Sequence, residues 1–356
     1  MPSLAKRGHE IKVLTSHFND LPREEQRDGF DIIRIPTLPD SAFRASFLSI
    51  VVTTFFFRTF WELEAPPRPP FSPRRDPRPT LPCQRRARVD AFAAHKVPYV
   101  LTAHLGDVPG GVPEKTGNWF RWIFPTTRWI WRDASARVAV SEYTRSLALK
   151  HYNEEVLVIP NGIDVDGENQ SSIRVNNPPV IIFAGRFMEQ KSPLQIIETL
   201  NEIKDLPWKC VMIGDGPLMP DVKKSMEELG LGDRFILTGW ITPDEVMKQF
   251  EQSDILFMPS LSEGLPVVGV QALSKGLAIV ASRVGGFVDL VDEGRNGYLV
   301  EVGNSEGFKS KLQELLTNPS RLLSLRQASL EKAKSFEITK IAEQYEKIFI
   351  EINHPK

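Results

Sequence analysis

From about residue 176 onward the chain alternates short apolar runs with amphipathic stretches. The runs at 180–184, 208–213, 235–237, 255–258 and 278–282 read as buried strands, because each is three to six residues long and together they are rich in Val, Ile, Phe and Met. Helix-start signals fall between them. Ser192 precedes Pro193, a cap followed by a first-turn proline. A helix pattern covers 220–229. Thr242-Pro243-Asp244-Glu245 has the spacing of a capping box. Strands alternating with helices predict an α/β domain, a parallel sheet covered on both faces. Ligands on such sheets bind beyond the C-terminal ends of the strands.

The first half is less regular. Residues 4–10 read as a helix end with Gly8 as its cap, and 11–15 as a strand. The apolar stretch 45–57 is bracketed by Arg44 and Arg58, and is shorter than the roughly 20 residues that span a bilayer. Eight of the 17 residues from 66 to 82 are proline, and seven arginines fall between 68 and 88. Proline removes ladder donors, so neither a central strand nor a helix interior fits there. The segment 64–88 reads as a disordered insert or a locally corrupted sequence, with a proline-rich ligand for a partner domain as the other reading.

Regularity returns at 97–104, an apolar strand that ends on His104 before the glycine-rich loop 106–111. Trp119, Trp122, Trp129 and Trp131 follow, interleaved with Arg121, Arg128 and Arg132. That pattern suits either an amphipathic helix pair packed on the domain or a membrane interface, and the packed pair is favoured. Strands are expected at 137–141 and 156–160, with a turn at Asn161-Gly162-Ile163-Asp164. A last helix at 338–352 carries Ile341, Tyr345 and Ile348 on one face.

Composition narrows the classes. A 356-residue chain with 41% hydrophobic and 25% charged residues is ordinary globular protein, long enough for two domains. A net charge of −1 gives no pull toward nucleic acid. Residues 1–170 carry +3, a weak pointer to an anionic membrane surface. Two cysteines, Cys83 and Cys210, form neither a disulfide framework nor a metal site, and a cytoplasmic location is expected. No Gly-x-Gly-x-x-Gly opens a helix, and no nucleophile triad or metal cluster stands out.

The candidate chemistry sits just after strands. In Ser262-Glu263-Gly264-Leu265-Pro266, Glu263 can accept hydrogen bonds from sugar hydroxyls, and Gly264 lets a ligand approach the backbone. Pro266 fits the first turn of a helix, whose free N–H groups suit a phosphate. Gln271 falls on the same helix two turns on. Gly185 and Arg186 follow the strand 180–184, with Lys191 five positions later. Two cations there would offset charge developing on a diphosphate leaving group. Gly214-Asp215-Gly216-Pro217 is a tight turn after another strand, and His104 ends a strand before a loop.

These motifs resemble the donor site of retaining glycosyltransferases of the GT-B fold, family 4. There a Glu, seven residues and a second Glu grip a nucleotide sugar; here Glu263 matches and Gln271 replaces the second acid. The resemblance implies two Rossmann-like domains facing a cleft. The acceptor side is expected at 1–168, the nucleotide-sugar side at 176–335, and a helix crossing back at 336–356. It implies hexosyl transfer from a nucleotide diphosphate sugar to a saccharide or lipid-linked acceptor, as in polysaccharide or cell-envelope synthesis, without metal or other cofactor. Arg186 and Lys191 would hold the diphosphate, with Gly185, Gly214 and Gly216 near the nucleotide. Glu263 and the backbone of Gly264, Leu265 and Pro266 would hold the sugar, and Gln271 the ribose. His104 would face the transferred sugar or the acceptor. The family's opening strand and glycine-rich turn are expected ahead of Leu4, and the sequence starts inside what reads as the first helix. A catalytically impaired nucleotide-sugar-binding remnant and a partner-binding scaffold are the rival readings, and peripheral contact with the inner face of a membrane is a further expectation.

Overall fold

The computed structural model describes residues 2–16, 21–35, 98–112, 120–165 and 173–353. The proline- and arginine-rich segment 64–88, the apolar run 45–57 and Trp119 lie outside them. The chain divides into two compact units, Met1–Pro98 and Tyr99–Lys356.

In the first unit a short helix, Pro2–Lys6, ends at Gly8 with φ +90°, the left-handed cap that glycine adopts without strain. Strand β1 (Lys12–Ser16) follows, then β2 (Glu24–Arg27) and β3 (Phe30–Ile35). The sheet order is β1-β3-β2, with β1 parallel and β2 antiparallel to β3.

The second unit holds two sheets. The smaller joins β4 (Val100–Ala103), β5 (Ala136–Ala139) and β6 (Leu157–Val158), all parallel. Among the described residues the tryptophan-rich segment forms one helix, Phe120–Asp133, where a pair was expected. Trp131 is buried and stacks on Tyr152 at 4.1 Å, whereas Trp129 is 63% exposed. Helix Glu142–Leu149 starts at Ser141, whose Oγ accepts the Thr144 N–H. The helix Ile338–Asn353 packs back onto this sheet: Ile341 and Ile348 join Val138 and Ile159 in one apolar cluster, and Tyr345 Oη lies 3.2 Å from Thr102 Oγ1.

The larger sheet is built from β7 (Val180–Ala184), β8 (Lys209–Ile213), β9 (Phe235–Gly239), β10 (Ile255–Met258), β11 (Ala278–Ser282) and β12 (Gly297–Val300). Its order is β12-β11-β10-β7-β8-β9, every neighbour parallel. β10, β11 and β12 are buried at every position, as a sheet covered on both faces requires. Helices such as Pro193–Asn201, Pro243–Glu251 and Pro319–Ala333 cover it. Thr242 and Glu245 form the expected reciprocal capping box. Ser192 does not cap. It adopts φ +47°, a left-handed conformation that strains a non-glycine residue, and its hydroxyl donates to the Glu189 carbonyl.

One buried ion pair ties this domain together. Asp254, at the foot of β10, pairs with Arg326 and accepts N–H bonds from Asn176 (3.1 Å) and Val180 (2.7 Å). Arg326 also donates to the carbonyls of Gly276 and Arg174. Three segments far apart in sequence thus meet on one carboxylate.

Candidate functional site

From β7 the chain moves outward through β8 to β9, then crosses back to place β10 on the other side of β7. The order reverses between β7 and β10, and this switch point opens a crevice beyond the strand ends. Gly185, Arg186 and Lys191 follow β7, and Glu263 to Pro266 follow β10. The residues singled out as a diphosphate clamp and as a sugar-binding carboxylate therefore arise on the two walls of one crevice.

They meet there. Lys191 Nζ lies 2.6 Å from Glu263 Oε1, and both side chains are largely shielded, at 19% and 6% exposure. Lys191 is carried by a single 3-10 turn, Glu189–Lys191. Its stem passes Gly185, where an added Cβ would stand 3.8 Å from Lys191 Cδ. Arg186 is half-buried on the same loop.

The glycines of the 214–216 turn serve close backbone packing. A Cβ on Gly214, at φ +122°, would overlap the Gly185 carbonyl, and one on Gly216 would overlap the backbone of Phe187. The turn is laced to the β7 loop by Gly185 N–H to Ile213 O (3.0 Å) and Phe187 N–H to Asp215 O (3.0 Å). Its sequence signal thus marks the support of the Gly185–Phe187 loop.

The signature loop is gripped from three sides. Gly264 packs against Leu105: a Cβ there would stand 3.2 Å from Leu105 Cβ. Asn161 Nδ2 donates to the Leu265 carbonyl at 3.0 Å. Gly285 and Gly286, after β11, press on the backbone of Glu263 and Gly264 so closely that a Cβ at either would overlap a carbonyl. Gly286 N–H donates to Gly264 O. Pro266 stands at the N-cap position of helix Val267–Ser274, one place earlier than the first-turn position expected of it. Gln271 is half-buried on that helix.

His104 is exposed, and its N–H is held by Asp107 Oδ2 at 2.8 Å. The next residue, Leu105, makes the contact with Gly264, so the His104 loop and the signature loop adjoin. A second link joins the same two lobes: Asp289, three residues past Gly286, accepts the Glu142 N–H at 2.9 Å. Burial raises the Asp289 pKa, and the Glu142 hydrogen bond only partly offsets it. Sequence reading gave no site role to Gln190, Leu105, Asn161 or the Gly285-Gly286 pair. Asn161 was read as the start of a turn, and the glycine pair carried a visible signal, a Gly-Gly directly after a buried strand.

Comparison with known proteins bears on the family and the fold. Residues 2–166 match the model for Glycosyltransferase Family 4, and residues 165–335 match that for Glycosyl transferases group 1. A 2-deoxystreptamine glucosyltransferase of Streptomyces kanamyceticus is 25% identical over 92% of this chain and 90% of its own length. The sulfoquinovosyl transferase SQD2 of Arabidopsis thaliana is 29% identical over 68% of this chain and 49% of its own. Among solved structures, sucrose-phosphate synthase from Thermosynechococcus elongatus superposes with a TM-score of 0.78, at 17% identity, over 99% of this chain and 91% of that one. Anabaena HepE in complex with UDP-glucose gives 0.62 at 21% identity, over 73% and 74%. These matches give no support to an impaired remnant over an enzyme. With family models meeting end to end across 2–335, and a fold shared over nearly the whole chain, the protein belongs to the glycosyltransferases of the GT-B fold.

Proposed function

We propose that this chain transfers a hexosyl group from a nucleotide diphosphate sugar to a saccharide or lipid-linked acceptor, with retention of anomeric configuration. The observation that carries the reading is the Lys191–Glu263 pair at the β7/β10 switch point. A shielded ammonium beside a shielded carboxylate presents a cation to a diphosphate and an acceptor to hydroxyls within one small volume. Arg186 and Lys191 neutralise the charge that builds on the leaving diphosphate, the type of electrostatic stabilisation worth most in a site that excludes water. Glu263 keeps Oε2 for a sugar hydroxyl while Oε1 faces Lys191. Gln271 accepts from the ribose hydroxyls through its amide oxygen. The nucleophile is the acceptor hydroxyl, which attacks on the face that the diphosphate vacates. Holding acceptor and donor together across the crevice supplies the orientation the reaction needs. His104 faces the transferred sugar or the acceptor.

No metal step enters this scheme, and activity is expected to survive EDTA. The test is a panel of UDP-, GDP- and ADP-hexoses against monosaccharide and polyprenyl-phosphate sugar acceptors. Proton NMR of the product then reads the anomeric configuration. A product of inverted configuration overturns the retaining assignment, and no transfer from any donor overturns the activity.

A further inference from the structure

One residue between the two walls of the crevice has no role in the donor scheme. Gln190 stands immediately before Lys191 in the 3-10 turn after β7. Its Nε2 donates to the Ser262 carbonyl at 3.0 Å, and its own backbone carbonyl accepts the Leu261 N–H at 2.8 Å. The next residue along, Lys191, pairs with Glu263. Consecutive residues of the β7 turn are thus stitched to consecutive residues of the β10 loop, by one backbone bond, one side-chain bond and one ion pair.

Each bond does a separate job. The ion pair alone would let Glu263 swing about Lys191, since a flexible ammonium imposes little direction. The Leu261 bond sets the height of the loop but does not itself hold the Ser262 carbonyl. The Gln190 amide fixes the peptide after Ser262, because it holds the Ser262 carbonyl and with it the plane from which the Glu263 backbone departs. Orientation of the Glu263 carboxylate then follows from the backbone as well as from the ammonium.

We infer that Gln190 is a positioning residue: it locks the sugar-binding carboxylate of Glu263 to the diphosphate-binding turn, so that a hexose is read at a fixed distance from the phosphates. This rests on the proposed donor reading and extends it to the selection of the sugar. Loss of the lock is expected to leave the nucleotide diphosphate affinity near its original value and to remove the extra affinity contributed by the sugar.

The test compares Gln190→Ala and Gln190→Glu with the original chain, using UDP and GDP and the corresponding hexose donors as calorimetric probes. Hydrogen exchange across residues 259–266, without ligand, is measured alongside. A glutamate at 190 cannot donate to the Ser262 carbonyl when ionised but can when protonated. Expected are faster exchange in 259–266 for both variants, nucleotide diphosphate affinity within about twofold, and a sugar-dependent gain in affinity reduced roughly tenfold, the loss of one hydrogen bond. In Gln190→Glu the gain begins to return as pH falls through the ordinary glutamate range, about 4.3, while Gln190→Ala stays impaired. A merely structural role would not show that pH-dependent return. Unchanged exchange in 259–266, or equal losses for nucleotide and nucleotide sugar, overturns the inference. If the original chain binds no nucleotide diphosphate at all while exchange still responds to Gln190, the donor reading falls and the sugar-selecting role with it.

Discussion

Lys191 and Glu263, separated by 72 positions in the chain, form a shielded ion pair of 2.6 Å between the turn after β7 and the loop after β10. The pair links the two halves of the donor scheme, so its members are not independent. Lys191→Ala is expected to weaken nucleotide diphosphate binding by about 1.5–3 kcal/mol, the range of a charge-assisted hydrogen bond, and to leave nucleoside binding almost unchanged. Arg186→Ala should behave in the same way. Glu263→Ala should abolish transfer. The double substitution Lys191→Ala with Glu263→Ala should cost less than the sum, because each single change also strands the other partner. Calorimetry with nucleoside and nucleoside diphosphate reads the first effect. Equal losses for both ligands would sink the diphosphate assignment.

Gln271 offers a gain-of-affinity test. It stands where the resembled family carries a second acid, half-buried on helix Val267–Ser274. Gln271→Glu keeps an acceptor in place and makes it charged, and hydrogen bonds to charged groups are stronger. The variant is expected to bind the nucleotide as well as or better than the original. A tenfold weaker nucleotide affinity would remove Gln271 from the ribose.

The Asp254–Arg326 pair predicts a stability effect remote from the crevice. Burial pulls the Arg326 pKa below its ordinary value, and Asp254 restores part of it. Arg326→Met leaves a fully buried carboxylate with only N–H partners, and breaking such a pair costs about 3–5 kcal/mol. Urea unfolding of the full chain measures this. The double variant Asp254→Asn with Arg326→Met should lose less than Arg326→Met alone.

Asp289 predicts a pH dependence. Its folded-state pKa is raised above the ordinary 3.8, chiefly by burial. The folded chain therefore binds this proton more tightly than the unfolded chain. The resulting stabilisation is full below the ordinary value and is lost as pH rises through the raised one. Asp289→Asn is neutral throughout and can still accept the Glu142 N–H. Thermal unfolding should show the variant gaining on the original chain as pH rises from about 4 toward neutrality. A constant difference across that range would mean that Asp289 titrates normally.

How far the sequence reaches depends on burial. β7, β10 and β11 were expected with the bounds they have, because strands covered on both faces are unbroken apolar runs between turn residues. β6 is two residues long where five were expected, since the sheet needs only Leu157 and Val158 to pair with β5. The tryptophan segment spells amphipathicity but not how many helices share it. The meeting of Lys191 with Glu263 was legible only through resemblance, for nothing local brings β10 beside β7. Gln190 carried no signal at all. A glutamine on a surface turn is ordinary until the loop across from it is placed.

The helix Ile338–Asn353 bears on how the protein is made. Val138 and Ile159 of the smaller sheet complete their cluster with Ile341 and Ile348. On the ribosome, β4, β5 and β6 emerge long before those isoleucines are translated. Domains ordinarily fold as units, N-terminal first, during synthesis. Here Val138 and Ile159 must wait for these two partners while the whole of the larger sheet is synthesised. That interval is a window for chaperone capture, and a chain ended before residue 338 would leave Val138 and Ile159 without Ile341 and Ile348.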